Sequence, residues 1–220
     1  MKPKERAVLR CMEYTMTNPK RLSHLWDSVE TIKNRGLKGD LIEAGVYKGG
    51  SSMLMAHALK YFELENNLYL FDTFSGMPKP SDRDVKIDKG HTYYDKWEEC
   101  QMEGYTDWCY GSRVEVEKNM NSVGYKNVFF REGNVLDTVP FGKIEEISLL
   151  RLDTDFYDST RHLLAHFMPL MQEGGIVIFD DYGCWKGAQE AVDEYFDQHK
   201  LNKEEIQVVD HSCYFYEVKG

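Results

Sequence analysis

Residues 40–59 read Asp40-Leu-Ile-Glu-Ala-Gly-Val-Tyr-Lys-Gly-Gly-Ser-Ser-Met-Leu-Met-Ala-His-Ala-Leu59, and this stretch decides the fold. A short apolar run ending at Glu43 predicts a strand. It passes into a glycine loop, Gly45 to Gly50, and then into strong helix formers from Ser51 onward. A strand, a glycine turn and a helix in that order form the opening unit of an α/β sheet.

Outward from this unit the alternation repeats. Further strands are predicted at Asn67–Asp72, Asn127–Arg131, Ile147–Asp153 and Gly175–Asp180. Helices are predicted at 112–123, after Asp153 through Leu170, and from about Lys186 to Gln198. Ile206–Asp210 and Cys213–Val218 read as a closing hairpin. Strands that are apolar along their whole length belong to a parallel sheet covered on both faces. The expected fold is therefore α/β and doubly wound, with a mostly parallel seven-stranded sheet and an antiparallel terminal hairpin. Ahead of it, residues 5–36 read as helical, broken at Pro19 and closed by Gly36 and Gly39, giving a helical cap over 1–38. Residues 74–111, with Pro78, Pro80 and alternating charges, read as a lid insertion within a single domain, 1–220.

The composition narrows the partners. A net charge of -10 over 220 residues argues against holding nucleic acid or anionic lipid by a general basic surface. No apolar run approaches the roughly 20 residues that a membrane helix needs. Five cysteines, an odd number with no C-x-x-C, point to reduced thiols in the cytoplasm, and Met1-Lys-Pro-Lys-Glu-Arg6 lacks the apolar core of a signal peptide.

Ligands of such sheets bind outside the carboxyl ends of the strands, where this chain carries Glu43, Asp72, Asp153 and Asp180. The glycine loop is not a G-x-G-x-x-G fingerprint, and Lys48 comes too early for a P-loop. Glu43 would repel a pyrophosphate and suits a cationic ligand, such as the amino group or sulfonium of S-adenosylmethionine. Asp72 is placed to accept from ribose hydroxyls. The alternative is that the glycines only make a tight turn. Adjacent parallel strands lie about 4.8 Å apart, so Asp153, Asp180 and Asp181 should converge. Like charges that close raise one another's pKa, and a hard divalent cation, Mg²⁺ above all, relieves the conflict. Asp155, just past the strand end, is a candidate general base facing the same opening.

Other signals have plainer readings. Asp158 and Ser159 read as caps of the following helix, and Ser51 and Ser52 as caps of the helix after the glycine loop. His162 and His166 read as ordinary helix residues, since no glutamate follows the first. His91 is either solvated or against substrate. Six rings lie between His91 and Tyr110, namely Tyr93, Tyr94, Trp97, Tyr105, Trp108 and Tyr110. They suit a lid that stacks on a ring-shaped or sugar-bearing acceptor, a satellite core that anchors the loop, or a contact between copies.

Five motifs in order carry a resemblance. They are Glu43-Ala-Gly-Val-Tyr-Lys-Gly-Gly50, Phe71-Asp-Thr-Phe-Ser-Gly-Met-Pro78, Gly133-Asn-Val-Leu-Asp-Thr-Val-Pro140, Leu150-Arg-Leu-Asp-Thr-Asp-Phe-Tyr-Asp-Ser-Thr160 and Asp180-Asp-Tyr182. From about residue 39 to 196 the chain resembles the macrocin O-methyltransferase family. These are Rossmann-like class I enzymes dependent on S-adenosylmethionine, several of which methylate sugar hydroxyls on macrolide and aminocoumarin antibiotics. The resemblance implies that Glu43, Gly45, Tyr47, Gly49, Asp72, Gly133, Asn134, Val135 and Asp153 form the S-adenosylmethionine site. It implies Mg²⁺ on Asp153, Asp180 and Asp181, with Asp155 as the base. It also implies a small-molecule, sugar-bearing acceptor and a homodimer or higher homo-oligomer. Residues 79–111 match no pattern of the family, so a catechol-like enzyme of small phenolics and a non-catalytic S-adenosylmethionine-binding protein stand as alternatives.

Overall fold

The computed structural model describes residues 1–220. Helix α1 (Pro3–Cys11) and helix α2 (Pro19–Arg35) make the cap, joined through a 3-10 turn at Met12–Tyr14. Asn18 starts α2 by accepting from the Lys20 and Arg21 N–H groups, and Gly36, in the left-handed region, ends it. The central unit follows as β1 (Asp40–Ala44), α3 (Gly50–Tyr61) and β2 (Leu68–Asp72). The insertion holds α4 (Tyr94–Glu99) and a small hairpin, β3 (Gln101–Met102) with β4 (Tyr105–Thr106). The alternation resumes with α5 (Arg113–Val123), β5 (Val128–Glu132), α6 (Val135–Thr138), β6 (Ile147–Leu152) and α7 (Tyr157–Phe167). It closes with β7 (Met171–Phe179), α8 (Lys186–Gln198), β8 (Gln207–Val208) and β9 (Tyr214–Glu217).

The main sheet has seven strands in the order β5-β2-β1-β6-β7-β9-β8. Strands β5 through β7 run parallel, whereas β9 is antiparallel to both β7 and β8. The expected architecture is therefore present. Chain order reverses between β1 and β6, which places the topological switch, and with it the ligand crevice, beyond Ala44 and Leu152.

Two apolar layers sandwich the sheet. Leu22, Trp26, Leu54, Leu59 and Met120 pack from α2, α3 and α5 on one face, while Leu163, Phe167, Val192 and Phe196 pack from α7 and α8 on the other. No helix is long and apolar enough to cross a membrane.

Two capping expectations are corrected. Gly49, in the left-handed region, occupies the N-cap of α3, so Ser51 and Ser52 fall inside the helix. The Ser52 hydroxyl donates to Glu43 instead. Phe156 occupies the N-cap of α7, which puts Asp158 in the first turn, and the Ser159 hydroxyl donates back to the Phe156 carbonyl at 3.0 Å.

Three of the insertion's six rings join a satellite core. Trp108 packs with Phe156, Trp185 and Ala188, and Tyr93 and Trp97 close over them. Tyr105 stands outside, its ring 4.4 Å from that of Tyr110. His91 is exposed and stacks on Tyr93 at 5.5 Å.

Candidate active site

The strand ends are stitched together by backbone bonds that continue past the strands. Gly45 N–H donates to the Phe71 carbonyl at 2.9 Å, Asp153 N–H to Ala44 at 2.8 Å and Asp180 N–H to Leu152 at 3.0 Å. These bonds fix the acids relative to the glycine loop. Gly45 is required there: it has φ +87°, and a Cβ would stand 1.8 Å from the Asp153 carbonyl oxygen. A similar constraint closes the insertion, since a Cβ on Gly111 would meet the Tyr47 carbonyl oxygen at 2.1 Å.

A cavity of about 280 Å³ opens at this point. Gly45, Tyr47, Asp72, Gly133, Asn134 and Val135 line one part of it, and Asp153, Asp155, Asp180 and Asp181 line another. Asp72 holds the glycine loop in shape, accepting from Val46 N–H at 2.6 Å and Tyr47 N–H at 3.2 Å, and from Phe74 N–H at 2.8 Å. Burial pushes its carboxyl up, and those three N–H bonds pull the other way. Asn134 caps α6 through its amide oxygen, which accepts from Leu136 N–H at 3.0 Å.

Two expected residues are not at the cavity. Gly49 is the N-cap of α3, where a Cβ would stand 3.1 Å from Val116 Cγ1. Glu43 is fully buried and is not among the residues that line the cavity. The reason lies in the register: Glu43 on β1 pairs with Arg151 on β6, and Arg151 Nη1 lies 2.7 Å from the Glu43 carboxylate. A charge in the middle of a buried strand must be paired, and the neighbouring strand supplies the partner.

Arg151 belongs to a larger network. It also contacts Asp153 at 2.7 Å and Asp180 at 2.9 Å. From the cap, Arg21 reaches Asp180 at 2.8 Å and Asp210 at 2.8 Å, and it donates to Ser212. Burial alone would push the Asp210 carboxyl up, but the Arg21 bond and nearby backbone N–H groups hold it well below the usual carboxylate range. Asp153, Asp180 and Asp181 offer oxygens that lie within 4.8 Å of one another. Burial raises the Asp153 carboxyl well above its ordinary value against the pull of Arg151, with Asp180 and Asp181 adding to the rise. Asp181 is raised by burial and then by Asp155 and Asp180. The Asp155 carboxyl is pushed up to about 6 by burial and by Asp153. Its backbone is in the left-handed region at φ 61°, pinned by Asp155 N–H donating to Asp181 at 3.0 Å.

The sequence reading missed part of the wall. Thr15, Met16, Thr17 and Arg21 enter from the cap, and Met77, Pro78, Lys86 and Cys109 from the insertion. None of the six insertion rings lines the cavity. His162 and His166 bond to the Val139 and His162 carbonyls, as ordinary helix residues do.

The sequence pattern described as Macrocin-O-methyltransferase (TylF) matches residues 6–218. A mycinamicin III 3''-O-methyltransferase from Micromonospora griseorubida is 31% identical over 198 residues, which is 89% of this chain and 75% of that protein. An 8-demethyl-8-(2,3-dimethoxy-alpha-L-rhamnosyl)-tetracenomycin-C 4'-O-methyltransferase from Streptomyces olivaceus is 31% identical over 185 residues, covering 83% of this chain and 67% of that one. The solved O-methyltransferase NovP superposes with a TM-score of 0.82 at 27% identity, covering 94% of this chain and 83% of its own. Fold, crevice and sequence thus agree: the chain belongs to the macrocin O-methyltransferase family and is an enzyme that takes its methyl group from S-adenosylmethionine.

Proposed function

We propose that this methyltransferase acts on a hydroxyl of a sugar or glycosylated natural product, with Mg²⁺ held by Asp153, Asp180 and Asp181 and with Asp155 as general base. The acceptor class is supported by the Streptomyces olivaceus relative, whose substrate carries a rhamnosyl group. The metal is supported by one observation above all, three carboxylates within 4.8 Å of one another at the cavity. Their chemistry fits a hard cation, since every donor is an oxygen. Asp180 Oδ1 is buried without a well-directed hydrogen bond, although Arg151 Nη2 stands 2.9 Å away.

S-adenosylmethionine supplies a methyl group on a cationic sulfur. The divalent ion supplies a Lewis acid that acidifies a hydroxyl. Everything else falls to the chain. Gly45 to Tyr47 present close backbone to the donor, and Asn134 keeps its amide NH₂ free for it because its oxygen is engaged in the cap. The Asp155 carboxylate takes the acceptor's proton at one of its oxygens, and its pinned backbone keeps that oxygen on the cavity side. Walls from the cap and the insertion set the approach of the acceptor. All five cysteines are unpaired, which supports work in a reducing cytoplasm.

Accurate-mass spectrometry of the protein incubated with S-adenosylmethionine, Mg²⁺ and glycosylated metabolites of its host tests this reading. The expected result is a product heavier by one CH₂, lost in excess EDTA and regained with Mg²⁺. Full turnover in EDTA removes the metal from the account. Methylation confined to small phenolics overturns the acceptor class.

A further inference from the structure

Lys86 and Cys184 are brought together by the backbone before their side chains are considered. Lys86 forms an antiparallel bridge with Trp185, Ile87 N–H donates to the Cys184 carbonyl at 3.0 Å, and Lys186 N–H donates to the Val85 carbonyl at 2.8 Å. On this frame Lys86 Nζ and Cys184 Sγ lie 2.7 Å apart. Hydrogen bonds from N–H to oxygen centre at about 2.9–3.0 Å, and sulfur is the larger atom, so the contact is closer than an ordinary N–H···S bond. The span of two single bonds meeting at one bent oxygen is of this order.

The surroundings keep the pair in place and within reach of small molecules. The Lys86 ammonium rests 4.3 Å from the centre of the Trp185 ring; Asp155 and Asp181 attract it from beyond ion-pair distance. Both side chains line the cavity, so a small oxidant reaches them through the opening that admits ligands. Cys184 has no disulfide partner.

We propose that Lys86 and Cys184 are a modification site at which dioxygen inserts one oxygen atom between nitrogen and sulfur, giving an Nζ–O–Sγ crosslink. The ammonium first releases its extra proton to solvent. The amine then loses one N–H and the thiol its S–H, the O–O bond breaks, and N–O and O–S bonds form while the second oxygen leaves as water. Nitrogen and sulfur each give up two electrons, and dioxygen accepts all four. Four equivalents of an external thiol reverse the step, returning amine, thiol and water with two disulfides. The crosslink ties the insertion to the loop that carries Asp180 and Asp181, and it removes a positive charge from the cavity. It depends on neither metal nor acceptor.

The test uses the purified protein alone, equilibrated with air or with dithiothreitol and then digested without reduction. The expected result in air is a peptide pair joining Lys86 to Cys184, heavier than the sum by one oxygen less two hydrogens and separated by dithiothreitol. Accurate mass distinguishes this gain from a methyl group. Lys86→Arg and Cys184→Ser abolish it, whereas Cys109→Ser leaves it in place; the wild-type digest decides alone if a variant fails to fold. Wild-type protein that keeps its reduced mass in air overturns the proposal. So does uptake of whole oxygens on Cys184 or Cys109 without loss of hydrogen, or a crosslink that maps elsewhere.

Discussion

Replacing Arg151 with methionine probes the charge balance beneath the cavity. The guanidinium contacts Glu43, Asp153 and Asp180 at 2.7, 2.7 and 2.9 Å, and its side chain is 3% exposed. Methionine keeps much of the stem and removes the charge. Removing one partner of a buried pair costs about 3–5 kcal/mol. Asp180 keeps Arg21 and Asp153 opens onto the cavity, so the loss falls mainly on Glu43, left with the Ser52 hydroxyl alone. The expected penalty near neutral pH is therefore about 3–5 kcal/mol, a large part of the roughly 5–15 kcal/mol typical of a folded domain. Its pH dependence has a definite sign. Burial holds the Glu43 carboxyl above its ordinary value while Arg151 pulls it down, so without Arg151 it rises further. A carboxyl raised in the folded state lends stability that is full below its unfolded pKa and lost as pH rises through the folded one. The penalty should shrink on acidification. Urea unfolding of both proteins at about pH 7.5 and about pH 5 measures it. A difference under about 1 kcal/mol at the higher pH, or a penalty that grows at the lower, refutes the reasoning.

Asp155→Asn should lower turnover by about 10²–10⁴-fold with S-adenosylhomocysteine affinity unchanged by calorimetry. Asparagine tolerates the left-handed backbone found at φ 61°, so a near-normal rate would dismiss Asp155 as the base. The same variant without metal should be more stable than wild type near neutral pH, because the Asp155 carboxyl, raised to about 6, carries its charge there at a cost. A shift of that size corresponds to about 3 kcal/mol, which water in the open cavity reduces to about 1–2 kcal/mol. The gap should close as pH falls from about 7.5 to about 5; His24 and His57, held below their ordinary value by burial, lose stability in the same window but cancel between the two proteins. A gap that is absent or widens on acidification contradicts the assignment. Gly45→Ala should weaken S-adenosylhomocysteine binding about tenfold or more, since strain of about 1–3 kcal/mol falls on the loop; equal affinity in calorimetry would show that the loop does not touch the donor.

Periodicity carried the sheet well. The five parallel strands sit within one or two residues of their apolar runs, except that β7 starts at Met171, ahead of the expected Gly175. There the strand continues through Gly174 and Gly175 past a shift in register, a tertiary effect that no local pattern announces. The aspartates at the strand ends were readable because a strand's end and a charge coincide. Their partner from the cap was not: Arg21 reaches Asp180 from α2, and only packing brings so long a side chain there. One signal was present and unread. Arg151 and Glu43 are charges inside otherwise apolar strands, and buried charges require each other. The insertion was legible as an excursion but not in its interior, where rings close on Trp185 and Phe156 from elsewhere in the chain.

Asn18 and Arg21 are bonded to Asp210, 192 and 189 residues further on. During synthesis the glycine loop and the acids that follow β6 and β7 therefore emerge from the ribosome before the residues that complete their salt network. A nascent chain that has passed Asp181 but not Asp210 holds Arg21 without its second carboxylate, and it has a sheet whose edge at β7 is still open. Exposed edges invite pairing with other chains. The vulnerable interval is thus the translation of the residues between β7 and β9, and a stall there should aggregate more readily than one placed after β9.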